Sequence, residues 1–213
     1  MFPAACEGFT AVSGRGGART RAACGFRAAV LPRKHGVFPN RSSLRLEYGE
    51  LKRLPESARL VAPAHAAEAD SLIGCINAKY HFSFWRPVTA IQNGGIDGNP
   101  YTIADPNWLP LGTTPNHPEY PAVHGCLTGP LAEVLKAYFG TPNLRISVDS
   151  TVAGTTSPHN FNNIREWQTE VELARIYAGF HYHHSLVQGF ELGHKVARNV
   201  VVNYFRPVRR PER

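Results

Sequence analysis

The chain has 213 residues, enough for one domain of ordinary size and too few for two comfortable ones. It is 43% hydrophobic and 18% charged, and no stretch reaches the roughly 18 consecutive apolar residues that a membrane span needs. The net charge of +7 invites a nucleic-acid reading, but residues 1–45 hold eight Lys/Arg against Glu7 alone while the rest balances fifteen bases with fifteen acids, which leaves the folded part without a basic stripe.

Residues 1–57 scatter Gly, Pro and Arg without apolar periodicity, and are expected to form a basic leader lacking structure. An Arg-rich, acid-poor leader suits an organelle transit peptide, a solvated tail or the product of a faulty gene model. Cys6 and Cys24 lie in it; Cys75 and Cys126 fall in predicted helices as buried free thiols, and no CxxC spacing supports zinc or a disulfide framework. The helical domain is expected over 68–206. From Glu68, Leu72, Ile73, Ile76 and Tyr80 recur at helical spacing, and Pro87 forces an end by Arg86. The segment from Asn93 to Pro121, rich in Gly, Pro, Asn and Asp, reads as one long functional loop. A helix from Gly125 presents Leu127, Leu131, Val134, Leu135 and Tyr138 on one face and stops at Gly140 before Pro142. Residues 144–152 alternate as a strand or an extended connection. A helix over Asn163–Ala178 is interrupted by Gly179, and a last one spans His184–Tyr204. The fold class is therefore all-α, a helical bundle with one long loop.

Three constellations carry chemistry. In Lys79-Tyr-His-Phe-Ser-Phe-Trp-Arg86-Pro87, a seven-residue spacing on one helix would put Lys79 and Arg86 on the same face. Such a face is either a solvated basic stripe or a pair of partly buried cations sharing an anion, and the crowding aromatics favour the second. In His117-Pro-Glu-Tyr-Pro-Ala-Val-His124-Gly125, His124 falls where a helix begins, and a helix N-terminus offers free N–H groups to an oxyanion. A structural role for a histidine there stands beside a role in proton transfer. In Arg175-Ile-Tyr-Ala-Gly179-Phe-His181, a break at Gly179 would let Arg175 and His181 converge, although an unbroken helix would set them about 120° apart. His183 and His184 raise a divalent-metal reading, but no carboxylate-bearing metal pattern accompanies them. Two arginines, a lysine and two histidines, with no carboxylate sharing the motifs, suit a compact anion with several oxygens.

In spacing, order and flanking words these motifs resemble the vanadium-dependent haloperoxidases and the type 2 phosphatidic acid phosphatase superfamily that shares their pocket. Lys79 with Arg86-Pro87, Pro121-Ala-Val-His124, and Arg175 through His181 match the family's three motifs, and the phrases AKYHFSFWRPVTAI, NHPEYPAVHG and ARIYAGFHYHHS are similar to its soluble haloperoxidase branch. The resemblance covers roughly residues 70–205. It implies that Lys79, Arg86 and Arg175, with the backbone at Val123 and Gly125, bind an oxyanion. His181 would be axial to vanadium and His124 the acid/base. The implied cofactor is vanadate, and the partners are peroxide, halide and an organic acceptor, with a homo-oligomer left open. A soluble phosphatase on the same pocket, needing no cofactor, is the alternative, as is a non-catalytic anion-binding domain. The motif serine is here Ala122, the motif glycine Val123, and the acid four residues beyond the axial histidine Ser185. Family members are also longer at the N-terminal side, so the bundle is expected to lack N-terminal helices.

Overall fold

The computed structural model describes residues 27–28, 43–46, 54–152 and 155–206. Most of the expected leader, with Cys6 and Cys24, lies outside this set. Five helices form the body: α1 (Leu54–Phe82), α2 (Pro87–Gln92), α3 (Val123–Phe139), α4 (Ile164–Tyr177) and α5 (His183–Asn203). The bundle expected from the sequence is present, with α3 central and packed against α5, α1 and α4. Among the described residues, no helix is long and apolar enough to cross a membrane.

The first helix differs from its expectation at both ends. It begins at Leu54, with Pro55 in its first turn, where a missing N–H leaves no hydrogen bond unmade, and it carries Pro63 inside. It stops at Phe82, four residues before Arg86. Ser83 adopts a left-handed φ of 46°, and its N–H closes the last turn on the Lys79 carbonyl at 2.8 Å. Arg86 is the extended N-cap of α2 and not part of α1. The buried stripe of α1 also differs: it consists of Leu60, Ala64, Ala67, Ser71, Cys75 and Lys79, spaced by three and four. Ile73 and Tyr80, on the expected apolar face, are 69% and 61% exposed. Small and polar residues form the inner stripe because α1 lies close to α3; the Ser71 hydroxyl donates to the Cys126 carbonyl at 2.5 Å.

Close approach of α3 and α5 is set by glycine. A Cβ at Gly125 would sit 2.7 Å from the Leu186 carbonyl oxygen, and one at Gly189 would sit 2.6 Å from that of Ala122. No side chain larger than hydrogen fits there, so the start of α3 rests directly on the first turns of α5. The apolar core lies beyond this contact, around Leu131, Leu135, Ile146, Trp167 and Val200.

A four-stranded sheet flanks the bundle in the order β1 (Arg27–Ala28), β2 (Ser43–Leu46), β3 (Ile146–Val152), β4 (Thr155–Phe161). The alternating segment 144–152 is thus largely a strand. It pairs antiparallel with β4 from Ile146↔Phe161 to Val152↔Thr155 and with β2 through Leu44↔Val148. No expectation covered β4, whose Pro158 obscures its strand character; as an edge strand it tolerates the missing donor. Asn163 then caps α4, accepting from the Glu166 N–H at 2.9 Å, while the Glu166 carboxylate accepts from the Asn162 N–H at 2.7 Å.

Candidate functional site

The buried end of α1, the loop before α3 and the α4–α5 junction meet at one place. Lys79 closes the inner stripe of α1 and is fully buried. Its ammonium donates to the carbonyls of Pro118 and Glu119 at 2.8 and 2.9 Å. Arg86 reaches the same centre from the extended segment between α1 and α2, so the pairing of the two cations owes nothing to a shared helical face. Its guanidinium donates to the His117 carbonyl through Nε and Nη2, at 3.2 and 3.0 Å, and to the Phe180 carbonyl through Nη1 at 2.8 Å.

The α4–α5 junction behaves as its glycine foretells. Gly179 has φ 74°, and a Cβ there would lie 2.6 Å from the Trp108 ring. Helix α4 ends at Tyr177, and the turn carries the chain into α5 with Arg175 and His181 both buried. The Arg175 guanidinium carbon lies 4.6 Å from the centre of the Phe180 ring. His183 pairs at the surface with Glu172 at 2.9 Å, and His184 stacks on Tyr120 with centroids 5.8 Å apart, so the neighbouring histidines turn to other tasks.

His181 sits between two opposite partners. Its Nδ1 lies 2.6 Å from Glu119 Oε1, and its Nε2 lies 3.2 Å from Arg86 Nη1. Since guanidinium only donates, Nε2 is the accepting nitrogen and Nδ1 carries the proton toward the carboxylate. Burial, and then Arg86, Lys79, His124 and Arg175, hold the imidazole pKa far below its ordinary value, which keeps the ring neutral. Arg86 touches His181 directly, and Lys79, His124 and Arg175 are near enough to lower its pKa through charge. His124 is the second residue of α3, whose N-cap is Ala122 and has no side-chain cap. Val123 and Gly125 share that first turn, and the Ala122 N–H donates to the Ser185 carbonyl at 3.0 Å.

The expectation that no carboxylate shares the motifs is wrong. Glu119 is fully buried, and its Oε1 also accepts from the Tyr182 N–H at 3.1 Å. Its Oε2 is buried without a hydrogen-bond partner. The signal was in view: Glu119 is the one acid in the His117–Gly125 segment. It lies 62 residues from the histidine that it meets, so no local pattern pairs the two.

Among the described residues the buried charged side chains are Lys79, Arg86, Arg175 and Glu119. Three cations against one carboxylate leave this interior net positive. Burial presses Lys79 down to about 8, with Arg86 lowering it further and Cys75 and Glu119 opposing. Burial also brings Arg86 to about 10, which leaves it charged at neutral pH. A multiply charged oxyanion offsets this excess, so the charge of the residues present fits vanadate or phosphate.

Comparisons with known proteins agree. Residues 59–210 match the family described as the VCPO second helical-bundle domain. The vanadium chloroperoxidase of Curvularia inaequalis is 32% identical over 92 residues, 38% of this chain and 14% of that protein. A structure of the first bacterial vanadium-dependent iodoperoxidase superposes with a TM-score of 0.59 at 28% identity, covering 69% of this chain and 33% of that one. A holo-type bacterial vanadium-dependent chloroperoxidase shares the fold, with a TM-score of 0.55 at 18% identity over 69% of this chain and 36% of that one. The chain thus spans about a third of the length of these solved relatives. Because the family match takes in most of the sequence and all three motifs, the chain belongs to the vanadium haloperoxidase superfamily, within its second helical-bundle domain.

Proposed function

We propose that this domain binds vanadate and serves halide oxidation by hydrogen peroxide, passing the oxidised halogen to an organic acceptor. The observation that carries the reading is the buried cluster of Lys79, Arg86 and Arg175 about His181. The relatives named above, themselves vanadium peroxidases, support the same chemistry.

In this reading the three cations hold the oxygens of the anion, and burial makes each contact stronger than it would be in water. The first turn of α3 adds the N–H groups at Val123 and Gly125. His181 would hold the anion through Nε2, which now accepts from Arg86, because its proton is committed to Glu119. Bound vanadate supplies the electrophilic activation of peroxide. His124, in the first turn of α3, moves protons during turnover.

The experiment is vanadate titration and two assays on the wild-type chain, His181→Ala and His124→Ala, with circular dichroism to confirm folding. The first assay follows bromination with peroxide and bromide, the second hydrolysis of a chromogenic phosphate ester. His181→Ala is expected to lose both affinity and turnover. His124→Ala is expected to keep affinity within a few-fold and lose about 10²–10⁴-fold in rate. Hydrolysis without bromination would make the protein a phosphatase. Vanadate binding with neither activity would leave an anion-binding domain, and equal loss of affinity in both variants would overturn the division of roles.

A further inference from the structure

Glu119 ties the three motifs together. Its backbone N–H donates to the Phe84 carbonyl at 2.9 Å, in the segment between Lys79 and Arg86. Its carbonyl accepts from Lys79 Nζ at 2.9 Å and from the Ser185 hydroxyl at 3.5 Å. Its carboxylate reaches His181 Nδ1 at 2.6 Å and the Tyr182 N–H at 3.1 Å. The side chain is therefore held from its own backbone and from the start of α5. Both it and the His181 side chain are 1% exposed, so water does not compete for the contact. Position 185, one helical turn beyond His181, offers a hydroxyl that is turned to the Glu119 carbonyl and not to the imidazole.

An imidazole pivots about its Cβ–Cγ bond and has two neutral tautomers, so its aim must be set from outside. A carboxylate on Nδ1 does both jobs: it anchors the ring plane and, with Arg86 donating to Nε2, keeps the proton on Nδ1, which leaves the Nε2 lone pair facing the cations. We propose that Glu119 is the positioning residue of the site, fixing the tautomer and aim of His181 from the loop before α3. The proposal deepens the oxyanion-site reading given above and rests on it for its consequence, although the tautomer itself does not depend on what ligand is bound.

The test uses the whole chain, ¹⁵N-labelled at histidine, as wild type, Glu119→Gln and Glu119→Ala. Nitrogen shifts of His181, assigned through His181→Ala, report the tautomer without any ligand. Titration with sulfate and with vanadate reports affinity. In the wild type a single Nδ1–H tautomer is expected. Glu119→Ala should give mixed tautomers and lose about 10–100-fold in affinity for both anions, the usual effect of removing an outer partner. Glu119→Gln, which keeps an accepting oxygen, should retain the tautomer and most of the affinity, and it carries the test if the alanine variant fails to fold. An unchanged Nδ1–H tautomer in Glu119→Ala, or a wild type whose proton sits on Nε2, would overturn the proposal. So would a Glu119→Gln that, with the alanine variant unfolded, loses the tautomer and all sulfate binding. A wild type that binds neither anion but shows the expected tautomer and its loss in Glu119→Ala would sink the oxyanion reading and leave the positioning role standing.

Discussion

Lys79 is the residue whose charge is most open to change at the site. Burial lowers its pKa to about 8, and Arg86 adds repulsion, while its ammonium donates to the neutral carbonyls of Pro118 and Glu119. An anion binds best while the ammonium is protonated, so affinity should be full below pH 8 and fall as pH rises through that value. The size follows from losing one charge-assisted contact, about 1.5–3 kcal/mol, or roughly 10- to 100-fold. Sulfate is the right probe because its own charge is constant over the range. Calorimetry in buffers of different ionisation enthalpy should show sulfate binding taking up roughly half a proton or more near pH 9 and almost none at pH 6. Proton uptake that is flat across this range would remove Lys79 as the titrating group. Arg86, at about 10, and His181, held neutral far below its ordinary value, do not change state in the same window.

At the scale of elements, the site depends on how closely α5 can approach the first turn of α3. Gly189 faces the Ala122 carbonyl, at the N-cap of the helix that carries His124, and the Gly125 backbone lies opposite. Gly189→Ala adds a methyl group with no room to occupy and must push the helices apart. The expected cost is about 1–3 kcal/mol of stability, reduced by up to about 1 kcal/mol of helix propensity gained. Urea unfolding measures the first effect and sulfate affinity the second; a variant as stable as wild type with full affinity would show that the contact is slack. The same contact explains what the sequence made legible. Glycine and proline punctuation located the end of α3, the Gly179 turn and the long loop, because these residues act on their own backbone. The inner face of α1 is not legible from apolar periodicity, since Ala64, Ala67, Ser71 and Cys75 carry little apolar weight and are buried by helix proximity. Motif spacing names Arg86, but the chain turns at Ser83 before reaching it, so no shared helical face sets it beside Lys79. The Glu119–His181 contact spans 62 residues, and no local pattern announces such a pair.

At the scale of the whole molecule, the charge excess and the fold divide at a definable point in the chain. Residues 1–45 hold the surplus of basic charge, yet within them residues 43–45 belong to β2, which continues to Leu46 and pairs with β3 through Leu44↔Val148, Arg45↔Ser147 and Leu46↔Ile146. Ile146 is buried in the main core and Val148 packs against it, so β2 covers one edge of a strand that the core uses. Two truncations should therefore differ. Removing residues 1–42 discards most of the surplus positive charge and, of the described structure, the two-residue β1, and the melting temperature should stay within a few degrees. Removing residues 1–50 also takes β2 away. Three cross-strand pairs at about 0.2–1 kcal/mol each predict a loss of about 1–3 kcal/mol, or several degrees in a domain of this size. The exposed edge of β3 should also make the shorter protein more prone to associate, which sedimentation at increasing concentration would detect. Equal melting temperatures for the two truncations would mean that β2 adds nothing to the fold. An early collapse in the longer one would mean that the basic segment itself packs on the bundle.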